Sequence, residues 1–369
     1  MEIYHLIFIL LLLTSFVSLF VKINKYYSII FFILLILFGS LRYKIGMDYE
    51  SYESIFDSIK STPISFAQSL ELYIEPGYAI IISWLKYIGF GKLGLFALHM
   101  ILSLYFVHKA ILQYPKNVFI SWLILFGVYY ANLFFNGMRQ GLFIAVIFYL
   151  LPDLLIKSWT NFLKILLLSI FLAICLHKTA IILPFIYLIC LYVPEIRTKY
   201  FILLASLVWA FSGIGNILIQ IGGMSFLKDT AYLGVVDVYS QSEAFGTEIK
   251  LFSISVIHRL VILILALYFS EFESASNSFK KLTNIYFWGA IMYFLLAPLG
   301  YMLATRVGMN LKIFDVLLIP YFIVFLKEAK FKVVGLIVIA VWSFAVMLTN
   351  FYLPGNYSYY VPYRTIFQK

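Results

Sequence analysis

The chain has 369 residues, is 63% hydrophobic and only 12% charged, and its mean hydropathy is +0.98. Soluble domains carry roughly 25% charged residues, so a water-soluble globule is excluded, and apolar runs of about 17–23 residues without strict alternation exclude a transmembrane β-barrel. The net charge of +10 lies largely in short segments between apolar runs, where Lys and Arg set orientation, so it does not indicate a nucleic-acid partner.

Taken in order, apolar runs cover 3–21, 27–41, 92–112, 118–135, 137–156, 162–176, 180–193 and 200–219, then 251–269, 285–303, 307–325 and 333–352. A further run at 75–90 opens with Pro76-Gly77 and is short: about 15 helical residues rise only ~23 Å against a hydrocarbon core of ~30 Å. It reads as a re-entrant or half-buried helix with Pro76 in its first turn. The expectation is an all-α, polytopic integral membrane helical bundle of about twelve transmembrane helices plus that short helix. It forms a single transmembrane domain over 1–369, with larger external loops at 42–74 and 222–250 and an external tail at 353–369.

Orientation follows from the basic residues. Lys22/Lys25, Lys109/Lys116, Lys157/Lys164, Arg197/Lys199, Lys280/Lys281 and Lys327/Lys330/Lys332 mark the cytoplasmic side, which places both long loops and both termini outside. The N-terminal apolar run is too long for a cleavable signal and no A-x-A site follows it. Cys175 and Cys190 sit in apolar runs and suggest neither a disulfide nor a metal site. No Walker A motif, paired-metal pattern or nucleophile elbow is present, so neither a cofactor nor an ATP-driven pump is expected.

The outer side then holds an unusual set of polar residues. The first polar loop carries Arg42, Asp48 and Tyr49, with Glu75 at its end; Asn136-Gly137-Met138-Arg139-Gln140 breaks a hydrophobic hairpin; His177-Lys178 separates two runs; His258-Arg259 and Arg306 interrupt later spans. Snorkelling to headgroups explains any one such arginine. Four on the side that should be poor in basic residues are better read as a polar cavity. Guanidinium forks match phosphate oxygens bidentately, and at a membrane surface the phosphate belongs to a lipid, with a polyprenol pyrophosphate fitting best. Arg139 and Arg306 would bind such a pyrophosphate and steady its departure. Arg42 would hold a second one or shape its loop, and Tyr49, Gln140 and Arg259 would line the site. Asp48, Glu75 and His177, ranked in that order, are candidate bases. Each has a plainer reading: a turn aspartate, a helix N-terminal charge, a histidine bonded to nearby backbone. Gly46 and Gly137 would allow close backbone approach. The tyrosine-rich tail reads as an aromatic belt, with a sugar platform as the alternative.

The segments LRYKIGMDYESY, EPGYAIIISWLKYIG, NGMRQGLFIAV, LHKTAIILP and ATRVGMNL, read in that order, resemble the EpsG-like family of polysaccharide polymerases, grouped with Wzy-type O-antigen and capsule polymerases. The resemblance implies a glycosyltransferase of the bacterial inner membrane with its active site facing outward. Such an enzyme moves a growing glycan from undecaprenyl pyrophosphate to the non-reducing end of another lipid-linked repeat unit. It also implies membrane lipids as surroundings, leaves room for a chain-length regulator protein, and carries the motif onto Arg42, Gly46, Asp48, Tyr49, Glu75, Arg139, Gln140, His177 and Arg306, with Arg259 matching less securely. The rival reading is a flippase for the same lipid-linked sugar, which would show internal repeats and broken helices near the midplane.

Overall fold

The structure, a computed structural model, describes residues 2–214 and 249–368; almost all of the expected external loop at 222–250 lies outside the described residues. In chain order the helices are α1 Ile3–Phe20, α2 Ile29–Ser40, α3 Tyr49–Ser58, α4 Phe66–Ser69, α5 Pro76–Tyr87, α6 Lys92–Gln113, α7 Val118–Ile124, α8 Met138–Leu154 and α9 Trp159–Cys175. They continue with α10 Leu183–Leu191, α11 Ile196–Phe211, α12 Ile254–Ser270, α13 Asn277–Leu296, α14 Tyr301–Lys312, α15 Asp315–Phe325, α16 Ala329–Tyr352 and α17 Pro354–Tyr360. No β-strand forms among the described residues; one isolated antiparallel bridge joins Arg42 to Thr365.

Four of these stretches, Ile3–Phe20, Lys92–Gln113, Asn277–Leu299 and Ala329–Tyr352, are long and apolar enough to cross a membrane, and a bent pair, Leu303–Lys312 with Asp315–Phe325, adds a fifth if taken as one span. Other apolar helices are shorter, among them Trp159–Cys175 and Ile254–Ser270. The protein is thus a membrane helical protein. The boundaries of the late runs differ from the sequence reading. The run expected at 285–303 stops at Gly300, whose φ of +124° ends the helix, and the run expected at 307–325 bends by 49° between Lys312 and Asp315. Arg306 therefore sits inside a helix and does not mark its end.

The chain divides into two compact units, Met1–Tyr187 with Ile319–Lys369, and Leu188–Leu318. In the first unit the core is the run 118–136. Asn117 caps it, accepting from the Phe119 and Ile120 amides, and its residues from Val118 through Tyr130 are all buried. A helix apolar on every side suits either lipid or a protein interior, and here it is the interior. The run departs from α-geometry: Leu125–Tyr129 and Ala131–Asn136 are π-helical, a wider winding that recurs at functional sites. It ends at Gly137, after which α8 turns back.

The tail straps this unit. Tyr43 and Gly46 amides donate to the Arg364 and Tyr359 carbonyls, and the Ile366 amide donates to Leu41, each within 3.0 Å. The Tyr360 ring is buried, its hydroxyl donating to the Asn136 side chain at 2.9 Å while its carbonyl accepts from the Tyr4 hydroxyl at 2.8 Å. Tyr360 and Tyr363 are thus packing residues of the loop and not a free aromatic face.

Candidate active site

The site in the first unit is built where the loop after α2 meets the end of the π-helical run. Arg42 is fully buried. Its Nη1 and Nη2 donate to the Phe134 and Phe135 carbonyls, both at 3.0 Å, and its plane lies 4.4 Å from the Phe135 ring centre. A π-helical end leaves carbonyls without partners inside the fold, and a guanidinium is the side chain that can satisfy two at once. Burial pulls Arg42 down to about 10, so it stays charged at neutral pH. The next turn is closed by Gly46, whose φ of +109° excludes an ordinary side chain, and by the Met47 amide donating to Asn136 Oδ1 at 2.9 Å.

That turn delivers Asp48 as the residue before α3. Tyr49, Tyr52 and Phe56 recur at helical spacing and form the buried face of α3. Lys92 at the start of α6 pairs with Asp57 at 2.7 Å and Glu53 at 3.5 Å, pinning the outer face. Tyr49 stacks on Phe96 with ring centres 4.6 Å apart, so it packs the loop. Tyr52 reaches the other way, its hydroxyl accepting the Arg139 backbone N–H at 3.3 Å. Burial raises the Tyr52 phenol, the Arg139 charge counters this, and the Asp48 carboxylate is close enough to add to it.

Arg139 stands in the first turn of α8. Gly141 holds that turn against the π-helical run: a β-carbon there would come within 2.0 Å of the Leu133 carbonyl oxygen. The glycine the geometry demands is therefore Gly141; Gly137 has a φ of −73° and room for an ordinary contact. Arg139 Nη1 pairs with Glu75 Oε2, with the arginine side chain 22% exposed and the glutamate 8%. The guanidinium lies 5.4 Å from the Tyr78 ring centre and 6.0 Å from that of Tyr52. Behind it, the Tyr78 hydroxyl meets His99 Nε2 at 3.1 Å. Glu75 is presented by α5, which begins with Pro76 at its first position as the sequence predicts. The other Glu75 oxygen accepts the Lys178 backbone N–H at 3.4 Å.

His177 caps the 3-10 turn Lys178–Ile182, its Nδ1 accepting from the Thr179 amide at 3.3 Å. That bond places the imidazole proton on Nε2. Gln140 is half-buried beside Arg139. The first unit thus collects Arg42, Asp48, Tyr49, Glu75, Arg139, Gln140 and His177. Tyr52 is one of the loop aromatics that the sequence sets beside Arg42 and Asp48; sequence reasoning missed Tyr78 and His99 as parts of the constellation. The signal was faint: a tyrosine just after Pro76-Gly77 and a histidine inside the apolar run 92–112.

Arg259 and Arg306 belong to the second unit. Arg259 is buried; its Nη1 donates to the Ser255 carbonyl at 3.1 Å and to the Ser255 hydroxyl, and it lies 3.7 Å from the Tyr293 ring centre. Next to it His258 Nε2 meets Asp315 Oδ2 at 3.1 Å, with both side chains buried. Lys312 lies within electrostatic reach of Arg259 and Asp315. Asn310 is fully buried, one helical turn from the half-buried Arg306.

A model of the EpsG family matches residues 24–365. The chain belongs to the EpsG family. The match runs from before Arg42 to beyond the tail residues that strap its loop, so the whole constellation lies within the EpsG homology. Neither the curated proteins nor the solved structures contain a match to this EpsG chain.

Proposed function

We propose that this EpsG-family membrane protein is a polysaccharide polymerase of Wzy type. It transfers a growing glycan from undecaprenyl pyrophosphate to the non-reducing end of another lipid-linked repeat unit, building O-antigen or capsule-type polymer on the outer face of the bacterial inner membrane. The chain would cross that membrane about twelve times, several helices doing so in short or bent form. The observation that carries the reading is the Glu75–Arg139 pair: a partly exposed guanidinium at the N-terminus of an apolar helix, held by a buried carboxylate.

Each group then takes a role from its bonds. Arg139, reinforced by the positive end of the α8 dipole, receives the donor's pyrophosphate. Both Glu75 oxygens are engaged, by Arg139 and by the Lys178 amide, so Glu75 positions the arginine. Asp48 is assigned as the base because its carboxylate acts on Tyr52, whose hydroxyl accepts the Arg139 amide; His177, whose Nδ1 serves its cap, offers an Nε2 proton to an anion. In the step, the acceptor hydroxyl oxygen attacks the donor's anomeric carbon and gives its proton to Asp48. The bond from that carbon to the pyrophosphate oxygen breaks, and the electron pair leaves with undecaprenyl pyrophosphate, stabilised by Arg139. Arg42 shapes the loop that carries Asp48. Gln140, half-buried beside Arg139, would assist it at the pyrophosphate, and Tyr49 holds the loop's aromatic face in place.

The test is polymerisation by the purified protein in vesicles supplied with lipid-linked repeats. Arg139→Ala should lower the rate by about 10²–10³, the loss seen when one donor to a developing oxyanion is removed, and Arg139→Lys should also be impaired because an ammonium cannot fork. Long chains at the normal rate from Arg139→Ala would end the reading. A gene deletion separates the flippase rival: loss of a polymerase leaves single repeats on the cell surface, and loss of a flippase leaves none.

A further inference from the structure

The C-terminal tail does more than cover the loop that carries Asp48. Met47, the residue before Asp48, donates its backbone N–H to Asn136 Oδ1 at 2.9 Å, and the Tyr360 hydroxyl meets the same oxygen at 2.9 Å. A backbone amide can only donate, which turns the oxygen of the Asn136 side chain toward Met47. That oxygen has two lone pairs, so it accepts from Met47 and from Tyr360 together. With both donors on one oxygen the amide has a single orientation. The Tyr360 ring is itself fixed. It is buried, meets Phe351 edge-on with ring centres 5.0 Å apart, and lies over Phe135 at 6.4 Å. Its backbone carbonyl accepts from the buried Tyr4 hydroxyl at 2.8 Å. Asn136, the last residue of the π-helical run, thus stands between the tail and the loop.

Two consecutive amides of the turn are therefore held from outside it, Gly46 by the Tyr359 carbonyl at 2.9 Å and Met47 by Asn136. A β-carbon on Gly46 would stand 3.1 Å from the Phe135 carbonyl oxygen and 3.3 Å from Asn136 Oδ1, so the turn lies directly against the end of the run. Asp48 follows at the position before α3 and makes no side-chain capping bond to that helix. The turn, rather than its own helix, sets where the carboxylate stands. The Tyr360 phenol lies within electrostatic reach of that carboxylate. A general base must stand within hydrogen-bond reach of the proton it takes, and a displacement of about 1 Å can cost about 10²-fold in rate. We infer that Asn136 and Tyr360 are positioning residues for Asp48: the tail hydroxyl orients the Asn136 amide, and the amide fixes the Met47 backbone that presents the carboxylate. The part this link plays in the reaction rests on the polymerase reading above; the clamp on the loop does not.

Two readouts on the full-length protein in vesicles test it. The first is backbone hydrogen exchange over residues 41–52, which needs no substrate. Tyr360→Phe keeps the buried ring and loses only the hydroxyl; Asn136→Ala loses the shared acceptor. Both should speed exchange in that segment, Asn136→Ala by about tenfold and Tyr360→Phe by less. Tyr357→Phe, which alters an exposed tail ring, should leave it unchanged. The second readout is polymerisation of lipid-linked repeats. Tyr360→Phe should lower kcat by about tenfold and Asn136→Ala by about 10²-fold, with KM within about twofold of the parent. In the Asp48→Asn background neither substitution should lower the rate further, because each acts through that carboxylate. A residue that only stabilised the fold would add its loss in both backgrounds. The inference is overturned if both variants exchange as the parent does, if both keep the parent kcat while Asp48→Asn loses it, or if their losses add to that of Asp48→Asn. Where Asn136→Ala does not fold, Tyr360→Phe decides the case. Faster exchange in both variants together with an unchanged rate in Asp48→Asn would instead remove Asp48 as the base and leave the clamp standing.

Discussion

Arg139 in the first unit and Arg259 in the second answer the same problem, a guanidinium among apolar helices, in different ways. Arg259 is buried and turns back on its own helix, donating to Ser255 and covering the Tyr293 ring. Beside it His258 and Asp315 are equally enclosed. Arg139 is matched by one carboxylate and keeps part of its surface open. The comparison separates a charge that fits its helices together from a charge that is anchored on one side and available on the other. Charges inside membranes are costly and tend to mark function, but only the second arrangement leaves donors for a ligand. Arg42 falls with Arg259: both of its terminal nitrogens close off backbone carbonyls.

The strongest way to break this division is Arg42→Ala. It removes two charge-assisted hydrogen bonds, each worth about 1.5–3 kcal/mol, and leaves buried carbonyls unpaired. A loss of folded protein is expected, read as a large fall in the thermal midpoint in detergent; a variant as stable as the parent would return Arg42 to the ligand-binding class. Asp48→Asn comes next. It should keep the thermal midpoint and lower the polymerisation rate by about 10²–10⁴, the usual worth of a general base. An unchanged rate would remove Asp48 from the reaction.

Glu75→Gln sharpens the comparison from the other side. The amide can still accept from the Lys178 amide but no longer matches the Arg139 charge, so the guanidinium loses its anchor. The expected rate loss is about tenfold, smaller than for Arg139→Ala, because the cation itself remains. Tyr52→Phe should have the least effect. It removes one hydrogen bond to a backbone amide, worth about 1 kcal/mol, and should move stability more than rate.

Parts of this arrangement were legible in the residues themselves. Pro76 announces the start of the short α5 because proline suits the first helical position. The polar loop, the NGMRQ break and His177-Lys178 stood out because each interrupts hydrocarbon-like sequence, and the first unit does gather them. The π-helical winding was hidden, since the residues from Leu125 to Phe135 are apolar or aromatic apart from Asn132, and hydropathy does not distinguish one helical period from a slightly wider one. Tyr360 and Tyr363 looked like interfacial aromatics; their partners, Tyr4, Phe38 and Asn136, lie hundreds of residues away, and no local pattern encodes such a contact. The bend before Asp315 was read through because Lys312 and Asp315 are two charges in an otherwise continuous apolar run.

Binding of undecaprenyl pyrophosphate to vesicle-embedded protein, compared among wild type, Arg139→Ala and Arg259→Lys, tests the division most directly. If the open guanidinium holds the leaving group, Arg139→Ala weakens binding by about 10–100-fold, as expected for a lost bidentate phosphate contact, and Arg259→Lys shifts it by a smaller factor. Equal affinity in wild type and Arg139→Ala would contradict the account.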